Sequence, residues 1–168
     1  VENIQDIPIS ITALNQSQIE QMSAGVPDIR FMNARVGNLT IESSFGRVFP
    51  RFYIRGYGNT DFDLAASQSV SVLFDEVVQE NVILKSFPLF DVERVEVLRG
   101  PQGTLYGRNT FAGTINIISN EPNFDELVGS AEVTLGDYNL KRLEGVLNVP
   151  VSDTFALRFA GMGEVHDG

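Results

Sequence analysis

Few side chains in this sequence have the types and spacing that chemistry demands. The carboxylates pair as Asp61/Asp63 and Asp75/Glu76, spacings that suit turns, with weak calcium binding as the chemical alternative. One histidine, His166, stands beside Asp167, and an imidazole without partners makes neither a metal site nor a base. Cysteine is absent, which excludes disulfides and thiolate zinc sites. The residues therefore lead us to expect no catalytic group, no bound metal and no cofactor. The cations are more informative. Arg55 and Arg99 each close a strand-like run and precede a glycine, whereas Arg108 follows Gly107. A phosphate loop needs a wider glycine spacing than that of Gly103 and Gly107, and then Lys with Ser or Thr; here Arg108 is followed by Asn109, so that template fails. A guanidinium enclosed by protein must find carboxylates or suffer desolvation, unless it faces solvent.

The elements that must position these groups are short strands joined by loops. Around Arg99 the segment from Pro88 to Ser119 reads as strand, tight turn, helical turn at Thr104-Leu105-Tyr106, and a second, β-branched strand from Thr114 to Ile118. Gly100-Pro101 ends the first strand because Pro cannot donate to a ladder, and Gly107 stops the helical turn. The first strand carries Glu and Arg on both faces, which implies a sheet edge or a polar surround such as a lumen.

Upstream, Ile7, Ile9 and Ile11 alternate with Pro8, Ser10 and Thr12, as in an edge strand. Asn15 or Ser17 can cap a helix over Gln18 to Ala24 that Gly25 and Pro27 terminate, with Ile19 and Met22 turned to a sheet. Strands are expected over Val36 to Glu42, Arg51 to Arg55 and Val70 to Phe74, with loops at Ser44 to Phe49, Tyr57 to Leu64 and Val77 to Lys85. Strands mixed with short helices, lacking regular βαβ spacing, describe a small α+β sheet.

The 168 residues allow one domain of ordinary size, or one domain and part of another. With 43% hydrophobic and 10% aromatic residues the chain can build a core. A net charge of -10 argues against nucleic acid, whose phosphates demand clustered Lys and Arg, and against polybasic docking on anionic lipid. No apolar run is long enough for a membrane helix, which leaves a membrane barrel open. After Pro122 the texture changes. Ala131, Val133 and Leu135 alternate with Ser130, Glu132 and Thr134; Leu143, Leu147, Val149 and Val151 oppose Arg142, Glu144 and Asn148; Phe155, Leu157 and Phe159 oppose Thr154 and Arg158. With turn signals at Gly136-Asp137 and Ser152-Asp153 these are antiparallel strands of about ten residues, apolar on one side and charged on the other, as in a barrel with a wet lumen. A half-buried soluble sheet has the same alternation.

The run Asp91-Val92-Glu93-Arg94-Val95-Glu96-Val97-Leu98-Arg99-Gly100-Pro101, then Leu105-Tyr106-Gly107-Arg108-Asn109, then Gly113-Thr114-Ile115-Asn116-Ile117-Ile118, resembles the closing segment of the plug domain of TonB-dependent outer-membrane receptors. Ile54-Arg55-Gly56 and Val72-Leu73-Phe74-Asp75 resemble two further signatures of that family in the expected order. The resemblance implies an α+β, mixed-sheet plug domain over residues 1–121, followed over 122–168 by about three strands that begin a transmembrane barrel of about 22 strands, so that the chain is a fragment.

The family resemblance further implies an active transporter of the bacterial outer membrane, its plug inside the barrel lumen, taking up a scarce substrate. That substrate could be a ferric siderophore, cobalamin, an oligosaccharide or an aromatic compound. TonB would be the energy-coupling partner, and no segment that would bind it is evident. Arg55 and Arg99 match plug arginines that pair with glutamates of the barrel wall. The three loops correspond to those that touch substrate from outside, which makes Arg47, Tyr57, Asn59, Asp61, Phe62, Gln79 and Asn81 the candidate substrate-binding residues. The chain departs from the pattern at Glu76, where Gly is usual and where the hairpin geometry depends on it, and at Phe111-Ala112, where smaller residues are common. The competing reading is a soluble periplasmic interaction module without transport.

Overall fold

The structure is a computed structural model, and it describes residues 10–23, 28–43, 49–61, 63, 66–86 and 88–167. The chain forms two compact units that divide between Ser119 and Asn120. In the first unit the elements run β1 (Ser10–Asn15), α1 (Gln16–Ser23), a 3-10 turn (Ile29–Met32), β2 (Leu39–Ser43), β3 (Pro50–Ile54), β4 (Val70–Phe74), β5 (Val77–Val78), a second 3-10 turn (Leu84–Ser86), β6 (Val92–Arg99), α2 (Gly103–Tyr106) and β7 (Gly113–Ser119). Five of the strands make one sheet in the order β1-β6-β7-β4-β5, with β4 parallel to β7 and every other pairing antiparallel; β2 and β3 pair separately.

Strand alternation gives this sheet two unlike faces. Val95 and Val97 of β6, Ile115 and Ile117 of β7, and Val70 and Val72 of β4 pack into one core with Ile29, Phe31, Met32, Phe52 and Ile54. The opposite face mixes buried polar and apolar side chains: Ser71, Thr114 and Asn116 lie there beside Leu73 and Leu98. β6 is thus an interior strand, flanked by β1 and β7, and its mixed sequence reflects that second face rather than an edge. Its first residues depart from strict alternation. A register shift between Val92 and Arg94 returns Val92 to the core, while Arg94 stays half-buried and pairs with Glu93 and Glu96 at 2.7 and 2.8 Å. The edge belongs to β1, as its alternation suggests; Pro8 and the isoleucines at 7 and 9 lie outside the described residues.

Helix α1 begins with a reciprocal cap. Asn15 Oδ1 accepts from the Gln18 backbone N–H at 3.0 Å, and Gln18 Oε1 accepts from the Asn15 N–H at 3.0 Å. Gly113 opens β7 with φ +152, and a Cβ there would lie 2.3 Å from the Leu98 carbonyl oxygen, so only glycine lets β6 and β7 pair this closely.

The β4–β5 hairpin keeps its two-residue turn despite Glu76. Asp75 and Glu76 adopt φ of 46° and 67°, and Phe74 faces Val77 across the ladder. Asp75 is held from outside the turn: its carboxylate accepts from Ser119 N at 2.8 Å and from Ser119 Oγ at 2.7 Å. Glu76 stays in the left-handed region with no such hold, a conformation that costs a side-chain-bearing residue about 1 kcal/mol or more.

The second unit is a three-stranded antiparallel sheet in the order β10-β9-β8, built from β8 (Val128–Gly136), β9 (Leu140–Ser152) and β10 (Phe155–Val165). Register places Leu143 opposite Val133, and Leu147 opposite Phe159, on one face, where all four are exposed. On the other face Arg142 lies between Thr134 and Glu164 and pairs with Glu144 and Glu164. Asn148 is fully buried; its amide accepts from Asn123 N at 2.8 Å and donates to the Asn123 and Glu126 carbonyls at 2.8 and 3.0 Å, which pins the segment leading into β8.

Replacing Glu76 by glycine is expected to stabilise the β4–β5 hairpin by about 1 kcal/mol. Amide exchange at Gln79, whose N–H bonds the Val72 carbonyl at 2.8 Å, should slow by about five-fold. Unchanged or faster exchange would refute the strain assigned to Glu76.

Candidate functional site

Two arginines define one end of the first unit. Arg55 follows β3 with φ 53°, its N–H bonded to the Asn38 carbonyl at 2.9 Å and its side chain exposed. Arg99 ends β6 almost wholly buried. Its guanidinium donates to the Gly37 carbonyl at 3.0 Å, to Ser10 Oγ at 3.3 Å and to Thr12 Oγ1 at 2.7 Å. All three acceptors are neutral, and among the described residues no carboxylate pairs with either arginine. Burial, and then the nearby charge of Arg55, lower the pKa of Arg99 from its ordinary value. The fold therefore brings these two sequence-selected cations together and leaves their charge uncompensated.

The candidate loop residues are used locally to different degrees. Tyr57 meets Phe111 edge to face, with ring centroids 5.7 Å apart, so both exposed rings are anchored to each other. Asn59 orders its own loop, donating to the Ser67 carbonyl at 2.8 Å and accepting from Asp61 N at 2.8 Å. Asp61 likewise accepts from Asp63 N at 3.0 Å, so this carboxylate spacing serves successive side-chain turns. Arg47 and Phe62 lie outside the described residues. Among the described residues no cluster of metal-ligating groups occurs, and His166 is exposed.

Gln79 and Asn81 line a cavity of about 330 Å³. Asn81 Oδ1 accepts from Ile83 N at 3.0 Å and starts the 3-10 turn that carries Lys85; Gln79 donates to the Val77 carbonyl at 3.1 Å. Five further lining residues escape sequence reasoning: Gln68, Ser71, Glu80, Lys85 and Arg108. Arg108 clasps Glu80 through contacts of 2.6 to 2.9 Å, closing one wall across 28 residues of sequence. Lys85 is only 5% exposed, and burial pushes its ammonium down to about 8, partly offset by Glu80. A lone cation after Val82-Ile83-Leu84 was the one sequence signal available, and of those apolar neighbours only Val82 is buried while Ile83 and Leu84 are exposed. Gln68 and Ser71 are close in sequence, but Glu80 and Arg108 stand too far from that pair for any local pattern to join them.

A small mixed sheet with ligand-sized loop space at one end and a pair of uncompensated arginines, continuing into long alternating strands, is the architecture of a receptor plug and the start of its barrel. Residues 3–114 match the family model described as TonB-dependent Receptor Plug Domain, and the chain belongs to that family. It is 34% identical over 111 residues to the catecholate siderophore receptor Fiu of Escherichia coli K12, a match that covers 66% of this chain and 14% of that receptor. It is 36% identical over 107 residues to the pesticin receptor of Yersinia enterocolitica, covering 62% of this chain and 15% of that protein. Among solved structures, the ferric yersiniabactin uptake receptor FyuA of Yersinia pestis superposes with a TM-score of 0.81 at 27% identity, over 92% of this chain and 24% of that one. The chain thus spans a small N-terminal share of the relatives it matches.

Because unfolded lysine retains its ordinary value of 10.5 while Lys85 titrates at about 8 in the fold, the unfolded state binds more protons between those two pH values. Stability of the first unit should therefore rise with pH across that window and be lowest below it. Lys85→Met should flatten this dependence and add about 3 kcal/mol at neutral pH, read from urea midpoints of the receptor followed by a probe in β4. An unchanged pH slope would overturn the assignment.

Proposed function

We propose that this chain is the plug and first barrel strands of an outer-membrane receptor that captures a scarce small molecule and admits it by TonB-driven remodelling of the plug. The plug sits in the barrel lumen, with TonB as the periplasmic partner. The observation that carries this reading is the second unit's sheet: Val133, Leu135, Leu143, Leu147 and Phe159 form an exposed apolar face, while Arg142, Glu144 and Glu164 pair on the other. Exposed apolar side chains of that number suit lipid and not water, and the paired charges suit a wet lumen.

Within that reading Arg55 and Arg99 meet carboxylates of the barrel wall, which supply the anions that no described residue of the first unit gives them, and the loops carrying Arg47, Tyr57, Asn59, Asp61, Phe62, Gln79 and Asn81 face the incoming ligand. Names given to the relatives, which include catecholate siderophore and ferric yersiniabactin receptors, favour a ferric siderophore as substrate. Transport of this kind needs no covalent chemistry.

Deleting the receptor in its host should abolish uptake of one radiolabelled ferric siderophore under iron starvation, and restoring it should rescue uptake only when TonB is present. Recovery of the protein in the soluble periplasmic fraction would defeat the reading. In the restored receptor, Arg55→Ala with Arg99→Ala should leave barrel carboxylates unpaired and loosen the plug, raising sensitivity to antibiotics too large for the intact outer membrane. Wild-type resistance in the double variant would remove the arginine pairing from the proposal.

A further inference from the structure

The cavity beneath Gln79 and Asn81 holds more hydrogen-bonding capacity than the fold uses. Gln68 is 7% exposed and Ser71 is 2% exposed; Gln68 Nε2 and Ser71 Oγ are both buried without a hydrogen-bond partner. Both residues line the cavity. Thr114, which faces Ser71 in the parallel β4–β7 register, carries another buried hydroxyl without a partner. Buried polar groups are nearly always satisfied, and leaving one unmade costs about 1 to 3 kcal/mol, so neighbouring orphans call for an occupant.

The character of the vacant groups selects that occupant. An amide Nε2 can only donate, an ammonium can only donate, and a hydroxyl can do either. Lys85, 5% exposed as a residue, joins Gln68 and Ser71 in the lining, and its ammonium makes no hydrogen bond among the described residues. Glu80, the carboxylate that could neutralise it, is engaged by Arg108 through both of its oxygens. With Arg108 and Glu80 cancelling, the cavity retains the single positive charge of Lys85. Burial depresses the titration of Lys85, and Glu80 offsets that only in part.

We propose that this cavity is an oxyanion site, in which a small carboxylate or tetrahedral oxyanion accepts hydrogen bonds from Lys85 Nζ, Gln68 Nε2 and Ser71 Oγ. Its volume of about 330 Å³ exceeds the anion itself, leaving room for the organic part of a ligand that bears such a group or for water around a free ion. The site is complete within the first unit and independent of which substrate the receptor imports.

The test is protection of Lys85 from reductive methylation by formaldehyde and cyanoborohydride in the full-length receptor in detergent, followed by peptide mass spectrometry. Sodium acetate, sodium phosphate and, as a control at equal ionic strength, sodium chloride are titrated separately. Acetate, phosphate or both should slow Lys85 modification by about ten-fold at saturation, while Lys141 on β9 reacts unchanged. Protection by acetate alone identifies a carboxylate, the form a ligand's acidic group would take; protection by phosphate alone identifies a free tetrahedral ion. Gln68→Leu and the smaller change Ser71→Ala should each weaken the protecting anion's half-saturation by about five-fold or more. Equal labelling in acetate, phosphate and chloride, or protection that both variants retain in full, would overturn the site. Neither outcome bears on iron uptake, so the site and the transport reading stand or fall separately.

Discussion

The buried guanidinium of Arg99 is the contact on which the first unit's architecture rests. It gathers Ser10 and Thr12 of β1 and the carbonyl of Gly37, groups that stand 89, 87 and 62 residues from it in sequence, around the end of β6. A charge enclosed by neutral dipoles alone is poorly compensated, and Arg55 beside it makes the deficit worse. The plug therefore closes upon itself sterically while remaining electrostatically open. The same guanidinium that ties β1 to the end of β6 is thus the place where the first unit has charge left to satisfy.

The second unit presents the complementary problem. Its three strands satisfy each other's ladders and pair Arg142 with Glu144 and Glu164, yet they leave leucine, valine and phenylalanine side chains bare. Such a sheet has no use for its apolar face in water. Period-two alternation thus carries the environmental assignment that helix hydropathy carries for other membrane proteins, with far less signal per segment.

Much of this was readable from the sequence, for reasons that can be named. The strand over Val70 to Phe74, the helical turn before Gly107 and the β8–β10 meander follow local rules of alternation and turn chemistry. Asn15 was legible as a cap because its side chain needs only the next few residues. What resisted reading depended on distant partners. The mixed faces of β6 made sense only once β1 and β7 flanked it, and the hairpin at Asp75-Glu76 was held by Ser119, which no local pattern points to. The cavity failed for the same reason: Gln68 and Arg108 precede β4 and β7, strands joined by a long-range parallel pairing, and Lys85 reaches the same cavity from the turn after β5.

The position of β1 at the sheet margin has a mechanical consequence. β1 is bound along one side only, and its first described residue, Ser10, lies across from Arg99, the last residue of β6. Tension applied across β1 at Ser10 would open the ladder rung by rung from the contacts that cradle the guanidinium, whereas tension along the strand would load all its rungs together. In either case the release of β1 removes two of the guanidinium's three acceptors and breaks no rung of the β4–β7 parallel pair.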